Sequence, residues 1–101
     1  MINRKLDSPL RTRLNIRFVP KDKLNKIVYK DKYQIVQICW DHLYRKNHIL
    51  FTTHFTPMNF RYQYQEKLNH NSKIIILGDW RKMTKFYRIL DFANYDVYLT
   101  K

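Results

Sequence analysis

Alternating apolar and polar residues predict that much of this chain forms short β-strands. The pattern is clearest in residues 11–18, where Leu14, Ile16 and Phe18 alternate with polar and mostly basic residues. A period of two is typical of a strand with one buried face and one exposed face. The same pattern, or a short apolar run, predicts four further strands, at residues 33–40, 48–55, 73–80 and 94–100.

One helix is predicted between the third and fourth strands, over residues 56–70. Thr56 offers an N-cap oxygen, and Pro57 stands where the first turn of a helix tolerates proline. Aromatic and apolar residues then recur every four positions, which places them on one helical face. These residues are Phe60, Tyr64 and Leu68.

Two other segments are less regular. Residues 41–47 (DHLYRKN) are predicted to be a basic, aromatic-containing loop. The segment 82–92 is compatible with two structures: Met83 and Leu90 suit the buried face of a short helix, whereas residues 86–90 suit a strand.

The fourth strand contains the strongest apolar run, from Ile74 to Leu77, which predicts a strand buried on both faces. Gly78 is the single glycine of the chain and follows directly. Glycine at the end of a strand indicates a bulge, a bend or a close backbone approach.

Length and composition predict one folded domain with a polyanionic partner. The chain has 101 residues, and we expect residues 1–10 to form an arm and residues 11–101 a single domain. Hydrophobic residues make up 45%, which excludes a disordered tail. Lysine and arginine number 20 against 8 acidic residues, giving a net charge of +12. Nucleic acid is the first candidate partner, because the 16% aromatic content adds rings on which bases stack.

Other classes are disfavoured by specific features. No apolar run approaches the roughly 20 residues that span a bilayer, and no apolar segment follows the basic N-terminus. We therefore expect neither a membrane partner nor a secretory signal. Cys39 is the single cysteine, which excludes an internal disulfide and favours a reducing, cytoplasmic location.

The order of the predicted elements is that of an OB-fold: five strands, with a helix between the third and fourth. Residues 48 to about 82 also resemble the single-stranded DNA-binding protein family. The strand HILFTTHF leads into the 56–70 helix, and a polar turn is followed by KIIILGDWRK, an apolar run that ends in glycine and basic and aromatic residues. The resemblance implies a mainly-β, five-stranded OB-like barrel that binds single-stranded nucleic acid, mostly DNA, with little sequence preference. It further implies an accessory role beside a polymerase, primase or helicase in replication or recombination.

The resemblance implies which residues bind, since proteins of this family stack bases on aromatic rings and contact the nucleic-acid backbone with cationic side chains. The rings expected to stack on bases are Trp40, Tyr44, Tyr62, Trp80 and Tyr87. The cations expected to contact phosphates are Arg11, Arg13, Arg17, Arg45, Lys46, Arg81 and Lys82. The alternative for either tryptophan is a place in the core.

Two alternative functions stay open at the level of sequence. The first is a docking subunit of a polymerase, primase or helicase complex, and the second is a small basic ribonuclease toxin in which His54, Tyr87 and Arg88 handle protons and phosphate charge. A zinc site at Cys39, His42, His48 and His54 is disfavoured, because His48 and His54 lie about 20 Å apart on a straight strand. We therefore expect no enzymatic activity, no metal and no cofactor.

Overall fold

The computed structural model describes residues 16–24, 33–47 and 52–101, which form an open parallel sheet with helices between its strands. The strands are β1 (Phe18–Val19), β2 (Tyr33–Ile38), β3 (Thr52–Phe55), β4 (Lys73–Ile76) and β5 (Asp96–Thr100). The helices are α1 (Asp41–Asn47), α2 (Phe60–Lys67) and α3 (Trp80–Phe92), and a short 3-10 turn spans Lys21–Lys23.

The strand order across the sheet is β1-β5-β4-β2-β3, and every neighbouring pair is parallel. At the centre, Ile75 of β4 lies opposite Ile35 of β2 on one side and Tyr98 of β5 on the other. Parallel neighbours need a crossover between the end of one strand and the start of the next. Helices α1, α2 and α3 lie in three of these crossovers.

The main core lies on the sheet face that packs against α2 and α3. Val36, Ile76 and Leu99 are fully buried there with Leu90 of α3 and Phe60 of α2. Burying an apolar side chain of this size contributes about 1.5–3 kcal/mol. The core therefore supplies the main force that holds α3 on the sheet.

Strand β4 is buried on both faces. Ile74, Ile75 and Ile76 are each 0% exposed. This confirms the prediction from the apolar run and explains the β-branched residues, which suit the middle of a parallel sheet.

The prediction of a five-stranded OB-like barrel is wrong, and so is the prediction of a mainly-β fold. The sheet is open and all-parallel, whereas a barrel of this kind is antiparallel and closed. The decisive segments are residues 41–47, which form α1 instead of a loop, and residues 80–92, which form α3. Helices between consecutive strands produce an α/β fold.

Boundaries also differ from those expected. The helix predicted from Thr56 begins at Phe60, because Thr56 and Asn59 form reciprocal bonds that hold a turn first. The Thr56 amide donates to Asn59 Oδ1 at 2.9 Å, and the Asn59 amide donates to Thr56 Oγ1 at 3.2 Å. Residues 1–15 and 48–51 lie outside the described residues, so the predicted arm, most of the first strand and the start of the third are not tested. Over the described ranges, no helix combines the length and apolar character needed to cross a membrane.

Candidate functional site

The carboxyl ends of β2 and β4 lie side by side at the switch point of the sheet, where the connections leave toward opposite edges. The chain leaves β2 through α1 toward β3 on one side, and leaves β4 through α3 toward β5 on the other. In open α/β sheets, ligands bind in the crevice outside such a switch point. The segments that border the crevice are 39–41 and 77–79.

Residue Cys39 is held at the end of β2 by β3. Its amide donates to the carbonyl oxygen of Phe55 at 3.0 Å. Nε2 of His54 lies 2.8 Å from the carbonyl oxygen of Cys39 and donates to it in the tautomer protonated at Nε2. The His54 ring stacks on Tyr44 of α1, with centroids 3.9 Å apart and planes 10° apart. These contacts connect the backbone of residue 39 to both β3 and α1.

The thiol of Cys39 is partly buried. Burial raises its pKa first, because it disfavours the charged thiolate, and the nearby carboxylate of Asp41 raises the pKa further. Asp41 Oδ1 also lies 4.0 Å from Nδ1 of His54. The thiol is therefore mostly protonated at neutral pH.

The other border of the crevice is a short loop after β4. The Leu77 amide donates to the carbonyl oxygen of Val36 at 2.9 Å, which extends the pairing with β2. Gly78 follows with φ of +116°, a conformation that side-chain-bearing residues rarely adopt. The hydroxyl of Thr100 lies 3.3 Å from the carbonyl oxygen of Ile76 and 3.5 Å from that of Gly78. This tight loop positions the start of α3.

The N-terminus of α3 is capped by its own chain. Asp79 Oδ1 accepts hydrogen bonds from the Arg81 amide at 3.1 Å and from Arg81 Nε at 3.4 Å. The backbone hydrogen bond from Arg81 is the main cause that lowers the pKa of Asp79. A carboxylate thus already occupies the place where an anion would bind the helix dipole.

Two hollows are lined mainly by residues of α1 and α3, the helices that follow β2 and β4. A hollow of about 500 Å³ is lined by Trp40, which follows Cys39 in the chain, and by Asp41, His42 and Arg45. A groove of about 540 Å³ on α3 is lined by Pro57, Arg81, Lys82, Met83, Thr84, Lys85, Phe86 and Arg88. We call the second hollow the basic groove, because four cations and no acidic residue line it among the described residues.

The aromatic residues predicted to stack on bases lie in different settings. Trp40 is 44% exposed and Tyr62 is 81% exposed, whereas Tyr87 is 2% exposed and its hydroxyl accepts from the Arg17 amide at 3.2 Å. Tyr44 stacks on His54, and Trp80 packs edge-on against Phe18 at 5.5 Å. Their contact with a ligand stays a prediction.

The predicted phosphate contacts are also dispersed. Arg17 pairs with Asp96 at 2.7 Å and lies over the Tyr98 ring. Arg45 lines the hollow that begins at Trp40, Arg81 and Lys82 line the basic groove, and Lys46 is exposed on α1. Arg11 and Arg13 lie outside the described residues. Anion binding by these side chains stays a prediction.

Sequence reasoning missed the roles of Asp79 as a cap and of Lys85 beside Arg88 in the basic groove. The helical spacing of Arg81, Lys85 and Arg88 is the signal that identifies the groove once 80–92 is known to be a helix.

For zinc, no three His, Cys, Asp or Glu residues in the described ranges come together as a metal site, and His48 lies outside them.

No protein-family model matches the chain, and no curated protein sequence matches it. A structural match exists with the single-domain sulfurtransferase Rdl2 of Saccharomyces cerevisiae, at a TM-score of 0.65. The match covers 84% of this chain and 82% of that one, with 14% identity. The chain is therefore similar in fold to this sulfurtransferase. At this identity the likeness establishes the fold, a rhodanese-like α/β arrangement, and nothing of the activity.

This finding overturns the functional predictions that depended on the barrel. The predicted similarity to single-stranded DNA-binding proteins is wrong. The predicted partners, which are nucleic acid and a polymerase, primase or helicase, are wrong as well. The accessory replication role, its docking and ribonuclease alternatives, and the expected lack of enzymatic activity are wrong with it. These predictions followed from the element order of an OB-fold, which the chain does not adopt, or from its net charge and aromatic content, which indicate partners but not a fold.

Proposed function

We propose that this protein is a sulfurtransferase that carries sulfane sulfur on Cys39. The observation that supports the proposal is the position of the single thiol of the chain. It follows β2 at the switch point of a sheet that shares its fold with a sulfurtransferase. The carboxyl edge at such a point is where enzymes of open α/β folds bind their ligands.

The reaction proceeds in two displacements at sulfur. The Cys39 thiolate attacks the terminal sulfur of a donor such as thiosulfate, a bond forms between Sγ and that sulfur, and sulfite leaves with the electron pair of the broken sulfur–sulfur bond. An acceptor thiolate then attacks the terminal sulfur of the Cys39 persulfide and releases the Cys39 thiolate. Charge and atoms balance in both steps, which follow the chemistry of thiol–disulfide exchange.

The surroundings of Cys39 determine the pH dependence of the first step. The thiolate is the nucleophile, and both burial and Asp41 disfavour it. The rate of persulfide formation therefore rises as pH increases through the raised pKa of Cys39. Arg45 in the neighbouring hollow favours the approach of an anionic donor.

A reactive thiol that must stay reduced between turnovers suits a reducing compartment. We therefore propose that the protein acts in the cytoplasm.

Mass spectrometry of the intact protein tests the proposal. Incubation with thiosulfate or glutathione persulfide at about pH 9 should add about 32 Da, one sulfur atom, and dithiothreitol should remove it. Cys39→Ser should gain no mass.

At neutral pH, Asp41→Asn should accelerate labelling, because it removes the carboxylate that disfavours the thiolate, whereas Asp22→Asn on the exposed 3-10 turn should not. A protein that takes no sulfur from either donor at about pH 9 is not a sulfur carrier.

A further inference from the structure

Helix α3 presents an exposed row of three cations that ends in an aromatic residue. Arg81, Lys85, Arg88 and Phe92 are spaced by four, three and four residues, and all four are exposed. This spacing places them along one side of the helix over roughly 16 Å. We call this row the α3 stripe.

The stripe retains a strong positive charge. Arg81 is partly neutralised by Asp79, whose Oδ1 lies 3.4 Å from Arg81 Nε. Lys85 lies over the ring of Phe86, with its Nζ 5.2 Å from the centroid, a contact that leaves the charge unpaired by an anion. Lys82 adds a further cation in the basic groove, and no carboxylate lines the groove within the described ranges.

Apolar side chains flank these cations. Phe92 is 92% exposed at the end of the stripe. Pro57 lines the basic groove, and Met58, the next residue in the chain, is 73% exposed. Exposed aromatic side chains beside charge are typical of surfaces that bind another protein.

We propose that the α3 stripe docks an acidic segment of a partner protein. Carboxylates of that segment pair with Lys85, Arg88 and Arg81, and an apolar side chain packs on Phe92. One small anion does not span roughly 16 Å of cations. An acidic segment supplies both the spaced charges and the apolar contact that a simple polyanion lacks.

The place of the stripe gives this interaction a direction. Arg81 lies three residues after Gly78, at the carboxyl edge of the sheet, and Phe92 lies at the far end of α3. A segment docked along the stripe therefore brings one end to the crevice beside β2 and β4. The docking itself does not depend on sulfur transfer at Cys39.

Fluorescence anisotropy with a labelled peptide tests the proposal. The probe is a peptide of about 16 residues with Glu or Asp at every third or fourth position and one Leu near its end, to match the helical spacing. The competitor is an oligo-dT of equal charge. The variants are Lys85→Glu/Arg88→Glu and, as a matched control, Lys21→Glu/Lys23→Glu on the exposed 3-10 turn, which changes the net charge equally.

The stripe double variant should raise the Kd by at least about tenfold, against less than about threefold for the control, because charge pairing is local. Phe92→Ser should raise the Kd by about threefold or more, since it removes the apolar anchor. Cys39→Ser should bind like the wild type, which separates docking from sulfur transfer. Phe92 is exposed, so circular dichroism should show an unchanged fold in its variant.

Two results overturn the proposal. Equal weakening by the two double variants means that the peptide responds to total charge and not to the stripe. Tighter binding of oligo-dT than of the peptide, with no effect of Phe92→Ser, means that the surface is a general polyanion site.

Discussion

Gly78 and Asn94 are residues of the described chain with positive φ, at +116° and +68°. Each stands at an end of α3, where the backbone reverses between a strand and the helix. Asn tolerates the left-handed region, whereas the larger φ of Gly78 suits glycine alone.

The two positions should respond differently to substitution. Gly78→Ala should lower the free energy of unfolding by about 1–3 kcal/mol, because the conformation is strained for any side chain. The added Cβ would also lie 3.4 Å from Met83 Cγ. Asn94→Gly should leave stability unchanged or slightly higher, since glycine accepts positive φ. Urea denaturation measures both, and a Gly78→Ala protein as stable as the wild type would contradict the account of this loop.

At the residue scale, the sequence singles out Gly78 and Cys39 because each is unique of its kind. The partners of these residues do not follow from the sequence. His54 reaches the carbonyl oxygen of Cys39 only because β3 pairs in parallel with β2, with Gln37 opposite His54. Such contacts depend on register, which local patterns leave open.

Helix α3 is the element on which the fold depends. Its apolar residues recur at helical spacing, but the same residues include a run that also suits a strand. Two sequence patterns locate strands correctly: the apolar run at 74–77 locates β4, and the alternation in residues 94–100 locates β5. Neither pattern predicts whether these strands pair in parallel or antiparallel. Parallel pairing depends on the connections, because α1 and α3 carry the chain back to the start of the next strand. The prediction of a loop at 41–47 omits one of these crossover helices.

The cap of α3 gives a test at the scale of the element. Asp79→Ala should lower the Tm at neutral pH, because it removes the acceptor of the Arg81 amide. Asp79→Asn should lose less, since its amide oxygen also caps. The pKa of Asp79 is lowered in the folded state, so its contribution is present above the ordinary pKa of aspartate and is lost as pH falls through the lowered value.

Thermal melts across this pH range measure the effect. The difference between wild type and Asp79→Ala should shrink toward acid pH. A difference that stays constant down to the lowest pH would mean that the charge of Asp79 does not stabilise α3.

For the whole molecule, the net charge of +12 opposes folding through self-repulsion. The Tm should therefore rise as NaCl increases from about 10 mM to about 300 mM, because salt screens exposed charges. Lys21→Glu/Lys23→Glu lowers the net charge from +12 to +8, by two for each of two residues, and should show a smaller rise. Scanning calorimetry at several salt concentrations measures both. A Tm that does not respond to salt would show that the cations are already neutralised within the fold.

The two tryptophans stand at different parts of this surface, and this makes them separate optical reporters. Trp40 is 44% exposed and directly follows Cys39, whereas Trp80 starts α3 and packs against Phe18, with Lys101 Nζ 5.5 Å from its ring. Emission from Trp40 should therefore change when Cys39 is modified, and emission from Trp80 when the start of the α3 stripe is covered. Replacing one indole with phenylalanine at a time would resolve events at the crevice from events on α3 in the unlabelled protein.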